Sequence, residues 1–308
     1  MKTIVAMVLL GSTLAVASSG CAIKAEEDGA IVQTSEALLD GLLLASFDNG
    51  TWKFDNSGDG VYGSGDSTSS FGLPGDIPLA GWARGLVYNC NTASAAKEIG
   101  TYRPSTHQFF LDTNGDRVWS AGDTTIDFSV TPAGFTDTPV LFQAHNGSSG
   151  GVQNCLTVVG VFRTPNAGGQ GFWYIDWNGN GVWDGTPTDL RAQFGDTGDI
   201  PVPQVVFQGS SRNLTSSLAV FRPTDGAWYI DRNLDNVMSN CTTDTCIPVG
   251  SFGMINDNQA FVNPSTATIA ISRNGTQFID SFRNGGWDSQ DTQVTFATSS
   301  QKALLLER

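Results

Sequence analysis

The chain has 308 residues, 40% of them hydrophobic and only 15% charged, with 36 Gly, 8 Trp and 18 Phe, which supplies a large core and excludes a disordered chain. A formal charge of -14 repels phosphate backbones and argues against a nucleic-acid partner. Only two histidines, His107 and His145, are present, so chemistry built on clustered histidines has no material.

Lys2 precedes an apolar run over residues 4–17, the length of a signal-peptide core and too short to span a bilayer. Residues 1–20 therefore read as an export signal. Two cleavage sites compete: Ala15-Val16-Ala17 suits ordinary signal peptidase, and Ser18-Ser19-Gly20-Cys21 looks like a bacterial lipobox. Five cysteines leave an odd thiol in an oxidising compartment. With Cys21 lipidated, Cys90, Cys155, Cys241 and Cys246 remain as an even set. Residues 21–41 then form a lipid-bearing N-terminus and tether. The expected location is the outer membrane or cell surface, attached only through that lipid, or the medium if Cys21 stays unmodified.

From residue 42 to 308 the text is all-β, with short aromatic and β-branched runs between clusters of Gly, Asp, Asn and Thr. It also repeats. A strand ending in Asp recurs as Trp52-Lys53-Phe54-Asp55, Phe109-Phe110-Leu111-Asp112, Trp173-Tyr174-Ile175-Asp176, Trp228-Tyr229-Ile230-Asp231 and Gln277-Phe278-Ile279-Asp280. Ahead of four anchors lies a strand ending in Arg103, Arg163, Arg222 or Arg273, where the first copy has Ser46-Phe47-Asp48. Phe71-Gly72-Leu73-Pro74-Gly75-Asp76-Ile77-Pro78 and Phe194-Gly195-Asp196-Thr197-Gly198-Asp199-Ile200-Pro201 punctuate the units. Each unit has room for four antiparallel strands, in the second copy over residues 76–82, 97–103, 107–112 and 124–129. Blades of this kind bury their faces against one another and close into a ring that protects their edges. The first copy begins at its second strand, residues 42–47, while residues 303–306 supply a spare apolar strand to complete it. The expected fold is thus a five-bladed β-propeller of four-stranded antiparallel blades, closed by the C-terminal strand in blade one, with an open solenoid as the alternative.

The Phe-Gly, Gly-Asp-x-Pro, Val-Phe-Arg-Pro and Trp-Tyr-x-Asp elements resemble the FG-GAP or VCBS-type repeats of bacterial secreted proteins and lipoproteins. The resemblance implies the propeller fold and is compatible with adhesion, carbohydrate binding or a domain appended to an enzyme. That family often places an Asp-rich loop after Gly-Asp-x-Pro, and none stands there in this sequence.

Acidic loops follow the anchor Asp instead. Asp55, Ser57, Asp59, Val61 and Asp66 in the first copy, and Asp112, Asn114, Asp116, Val118 and Asp123 in the second, place oxygen donors at positions 1, 3, 5, 7 and 12, a spacing that suits Ca²⁺. The third copy offers Asp176, Asn178, Asn180 and Val182, with Asp184 and Asp189 out of step. The fourth keeps Asp231, Asn233 and Asp235 without an acid at position 12, and the fifth, with Ser281, Phe282 and Arg283, offers no such set. Any bound Ca²⁺ is expected to be structural. The same residues also make good hairpin turns without metal.

The repeated arginines are expected to pair with repeat aspartates such as Asp76, Asp112, Asp199 or Asp231. Trp52, Trp173 and Trp228 fall at core positions, whereas Trp82, Trp119, Trp177, Trp183 and Trp287 lie in or beside loops. Of these, Trp119, Trp183 and Trp287 recur at one place after the anchor and are the candidates for stacking on a ligand. Cys241 and Cys246 flank one short turn and are expected to staple it, leaving Cys90 with Cys155. The acids outside the repeat, Glu98, Asp127 and Asp137, form no catalytic constellation. The resulting expectation is a non-catalytic, exported propeller that binds a glycan or a surface protein. A propeller glycoside hydrolase and a purely structural envelope lipoprotein are the alternatives.

Overall fold

The structure, a computed structural model, describes residues 41–81, 88–89, 98–131, 133–149, 152–208, 211–238, 241, 243–248, 250–263 and 268–307. The expected signal, Cys21 and its tether, Trp82 and Cys90 lie outside the described residues.

All regular elements among the described residues are strands. Blade one holds β1 (Leu42–Asp48), β2 (Thr51–Phe54) and β3 (Ser67–Ser70); blade two holds β4 (Ile77–Gly81), β6 (Glu98–Arg103), β7 (Gln108–Leu111) and β8 (Thr124–Asp127), with the short β5 (Tyr88–Asn89) between its first two strands. Blade three comprises β9 (Phe135–Ser149), β10 (Val152–Pro165), β11 (Gln170–Ile175) and β12 (Leu190–Asp196). In blade four β13 (Ile200–Pro201), β16 (Ala219–Arg222), β17 (Ala227–Ile230) and β18 (Thr245–Ile247) form the sheet, and β14 (Gln204–Gln208) pairs with β15 (Ser211–Ser217) as a separate hairpin. Blade five is β19 (Gln259–Asn263), β20 (Thr268–Arg273), β21 (Thr276–Ile279) and β22 (Thr292–Val294). The last strand, β23 (Lys302–Glu307), lies antiparallel on β1 with Leu44 opposite Leu305, and makes blade one four-stranded. These five antiparallel blades form the expected β-propeller, and the pairing of β23 with β1 disposes of the open solenoid.

The alternation of each third strand decides what goes inside. Trp52 and Phe54, Phe109 and Leu111, Trp173 and Ile175, Trp228 and Ile230 point one way and are buried, while their neighbours are partly exposed. Second strands are flanked by a blade on each side, so β1 and β20 are buried along nearly their whole length. The apolar side chains gather into five clusters, each shared by neighbouring blades. Phe54 of blade one packs with Ile99 of blade two, Phe109 with Val161 of blade three, Trp173 with Val220 of blade four, Trp228 with Ile271 of blade five, and Ile279 with Leu44 and Leu305 back in blade one.

Three tryptophans also fasten the outer strand of their own blade. The Nε1–H groups of Trp52, Trp173 and Trp228 donate to the main-chain oxygens of Phe71, Phe194 and Phe252, the Phe of each Phe-Gly turn. In blade five Gln277 takes over: its Oε1 accepts from the N–H groups of Phe296 and Ala297, and its Nε2 donates to the Ala297 oxygen. An amide there satisfies the same outer turn that indole serves elsewhere.

Candidate functional site

Each blade places its acidic loop between its third and fourth strands, and one scheme recurs. The anchor's own N–H donates to the second strand, Asp55 to Leu44, Asp112 to Ile99, Asp176 to Val159, Asp231 to Leu218 and Asp280 to Ile269. That pins the carboxylate beneath the loop. In loop one the two oxygens of Asp55 accept the N–H groups of Gly58 and Gly60 at 2.6 and 2.9 Å; in loop two those of Asp112 accept Gly115 and Arg117 at 2.8 and 2.9 Å. A second Asp closes the loop from its far end. Asp66 accepts from Ser57 and Gly63, Asp123 from Thr113 and Ser120, Asp189 from Trp177 and Asp184, and Asp291 from Phe282 and Asp288.

This corrects the sequence reading of the later copies. Asp189 is not out of step, because two extra residues bring it to the place of Asp66. Loop five has its closing acid in Asp291, and in loop four Asp244 stands with Asp231 and Asp235. Carboxylate oxygens converge to within 4.8 Å in three sets: Asp55, Asp59 and Asp66; Asp112, Asp116 and Asp123; Asp231, Asp235 and Asp244. In loop three the amides of Asn178 and Asn180 both donate to Asp184, and Asn180 and Val182 take main-chain roles in the turn. Burial pushes the anchors Asp112, Asp176, Asp231 and Asp280 above the ordinary carboxylate range, Asp231 to about 6 with Asp244 and Asp235 adding to the effect. At Asp66, a partly exposed closing acid, burial is outweighed by the N–H groups it accepts, and its pKa is lowered.

The arginines pair with aspartates, with Asp76 and Asp199 as expected and with Asp137 and Asp257 in place of Asp112 and Asp231. Arg103 grips Asp76, Arg163 grips Asp137, Arg222 grips Asp199 and Arg273 grips Asp257, each through two parallel bonds, and Arg222 adds a third bond to Asp196. Asp112 and Asp231 are instead committed to their loops. Asp137 is therefore a repeat residue, and Asp137-Thr138-Pro139 matches Asp76-Ile77-Pro78 and Asp199-Ile200-Pro201.

Trp119, Trp183 and Trp287 act as wedges between blades. Trp119 meets the ring of Phe71 in blade one and Phe110 in its own, Trp183 meets Phe128 and Tyr174, and Trp287 meets Phe252 and Phe278. Tyr62 and Met238 occupy the same place, seven residues after their anchors. Trp119 and Trp287 remain 46% and 44% exposed, and each borders a cleft of about 260 or 230 Å³. Phe71, Gly72, Leu73, Arg103 and Phe110 line one; Phe252, Gly253, Met254, Arg273 and Phe278 line the other at equivalent positions.

The innermost strands β4, β9, β13, β19 and β23 surround a central cavity of about 350 Å³ lined mainly by apolar and proline side chains. Its one acidic lining residue, Asp199, is bound by Arg222.

The largest departure from five-fold repetition is at blades two to four. Beyond Gly160, where β10 leaves β11, the β9–β10 hairpin continues to Ser149 and Val152. It is braced on one side by β5, with Tyr88 opposite Cys155, and on the other by β15, whose Ser216 hydroxyl accepts the Gln143 N–H at 2.9 Å. First-to-second and third-to-fourth connections leave an antiparallel blade at the same end, so this crown rises beside the acidic loops. Phe142 meets Trp177 of loop three, and Leu156 lies against Gly179. Cys155 belongs to the extended second strand; its expected partner Cys90 lies outside the described residues. Cys241 and Cys246 form the expected disulfide in loop four.

Compared with known protein families, with curated proteins and with solved structures, the chain has no significant match.

Proposed function

We propose that this protein is a non-catalytic, exported propeller whose ligand surface is the crown of blades two to four. One observation carries the reading: among the described residues the chain departs furthest from the repeated unit there, and it does so with adjacent segments that brace one another. A ring needs no such extension to close. Export is supported by the disulfide in loop four and by the signal-like N-terminus, and lipid attachment at Cys21 by the cysteine count.

The crown's composition points to a glycan. Residues 145–155 and 204–217 hold Asn, Gln, Ser, Thr and Gly in abundance and no Asp or Glu, in a chain of charge -14. Uncharged donors and acceptors of this kind suit hydroxyl groups, and the exposed rings of Trp119 and Trp287 beside their clefts offer faces for sugar stacking. A central cavity whose single acid is held by an arginine favours binding over glycoside hydrolysis, which needs two free carboxylates flanking the substrate. Ca²⁺ in loops one to three is part of the proposal as a structural ion, supported in loops one and two by the converging carboxylates.

A glycan array tests the reading. The purified domain should bind a defined set of glycans, and a variant with residues 145–155 replaced by Asn-Gly should lose that binding while keeping its melting temperature. Binding unaffected by the replacement removes the crown from the proposal; release of reducing sugar during incubation makes the protein a hydrolase. A protein partner is the outcome if the wild-type domain binds no glycan yet a surface protein crosslinks to residues 145–155.

A further inference from the structure

Loop four, the copy whose sequence fits Ca²⁺ poorly, is the one that the structure leaves unfinished. In loops one, two, three and five each anchor carboxylate accepts a main-chain N–H on both oxygens. Asp231 is fully buried, and its Oδ2 accepts the Asn236 N–H at 2.9 Å; the Leu234 N–H gives the carboxylate some electrostatic relief, but no donor reaches Oδ1 in hydrogen-bond geometry. A buried carboxylate oxygen without a donor is costly, and native folds rarely keep one unless something else fills its lone pairs.

The surroundings make the deficit worse. Asp235 and Asp244 bring carboxylate oxygens to within 4.8 Å of Asp231. Where loop two sets Arg117 above the Phe54 ring, loop four has Asn236. Its two left-handed positions are held by Leu234 and Asn236, both at φ 61°, where loops one and three have glycine. The Cys241–Cys246 disulfide ties off the segment that carries Asp244. Three acids converging on an orphaned buried oxygen are stable together if a cation sits among them.

We propose that loop four is a divalent-cation site in which Asp231, Asp235 and Asp244 are the charged ligands. An all-oxygen set with three carboxylates and no sulfur or imidazole selects a hard ion, and the span of the group suits Ca²⁺ over the smaller Mg²⁺. The Asn233 side-chain oxygen, which accepts the Asp235 N–H at 3.2 Å, stands at the third position of the loop, between Asp231 and Asp235 in sequence. The inference is independent of the crown and of any glycan.

The experiment is calorimetric titration of chelator-stripped protein with Ca²⁺, read beside the Ca²⁺-induced rise in melting temperature. Wild type should bind, and Asp231→Asn and Asp244→Asn should each weaken the tightest site at least tenfold. Asp235→Asn, at an exposed position outside the core, should do the same without disturbing the fold, which guards against a variant that merely fails to fold. Asp66→Asn in loop one should leave that site intact. The proposal is overturned if wild type shows no Ca²⁺ heat at millimolar ion, or if Asp235→Asn and Asp244→Asn bind as wild type does while Asp66→Asn does not.

Discussion

Blade three contains both a copy of the repeated unit and the longest departure from it, and the same two strands contribute to each. Up to Gly160, β10 is held between β9 and β11, and Val161 and Phe162 are buried against neighbouring blades. Beyond Gly160 the hairpin loses β11 and gains contacts without a counterpart in the other blades among the described residues, β5 on one side and β15 on the other. The first half answers to packing: its residues recur because every blade must bury the same faces. The second half is free of that demand, and its sequence differs from every other connection in the chain. Stability and recognition are thereby separated along a single strand pair, and the separation can be challenged from both sides.

The largest effect should come from opening the ring. Removing residues 302–308 strips β1 of its partner and uncovers the cluster that joins Leu44 and Leu305 to Ile279. Unfolding monitored by circular dichroism should lose its single cooperative transition; a variant that still melts sharply near the wild-type temperature would mean that the blades do not depend on closure. Next comes the Arg163–Asp137 pair, buried on both sides with bonds of 2.6 and 2.7 Å. Arg163→Met leaves the buried Asp137 without its guanidinium, with only the His107 ring at 3.9 Å as a neighbour able to carry positive charge among the described residues, and should cost about 3–5 kcal/mol in urea unfolding. The more exposed Arg273→Met should cost less. Trp173→Phe keeps most of the buried ring but leaves the Phe194 oxygen without its donor, for about 1–3 kcal/mol.

A smaller effect is expected from pH. Burial raises Asp112, Asp176, Asp231 and Asp280, Asp231 to about 6, above the value near 4 of an unfolded chain. Each raised group binds its proton more tightly when folded, so this contribution is complete below the unfolded value and is lost as pH rises through the folded one. In the presence of a chelator the melting temperature should therefore climb by a few degrees from pH 7 to pH 5, and Asp231→Asn should flatten the slope. A fall over that interval would contradict the direction assigned to these carboxylates.

The propeller was legible in the sequence because each blade must satisfy the same interior with the same alternation, and an apolar strand left over at the end, residues 303–306, had one place to go. What escaped notice is what the repeat achieves by different means. Gln277 replaces a tryptophan because the outer turn requires hydrogen bonds more than it requires a ring. Asp137 looked solitary because its Asp-Thr-Pro lacks the preceding Gly of Gly-Asp-Ile-Pro; aligning on the proline alone finds it. Asp189 and Asp244 were hidden by loops two residues longer, and Asp291, at the regular spacing, by a loop with Phe282 at its third position and no acid at its fifth. The orphaned oxygen of Asp231 has no sequence signature, since it arises from the direction of one N–H. Nor does spacing tell which long connections will meet; β5, β10 and β15 come together only because their blades are adjacent in the closed ring.

The smallest effect on stability should be that of trimming the crown. Replacing residues 145–155 with Asn-Gly retains the Ala144–Leu156 pair, whose side chains belong to the buried cluster of blade three, and supplies a turn suited to a two-residue hairpin. Cys90→Ser belongs in the same variant so that Cys155 leaves no thiol behind. Because the described ring clusters draw on β9 up to Ala144 and on β10 from Leu156 onward, all of which the variant keeps, the loss should stay within about 1 kcal/mol, the range of surface changes. A loss several times larger would mean that β9 and β10 fold as one unit along their whole length and that the crown helps to hold the ring. In that case the extension would have a structural reason to exist, and its departure from the repeat would no longer single it out as a surface for binding.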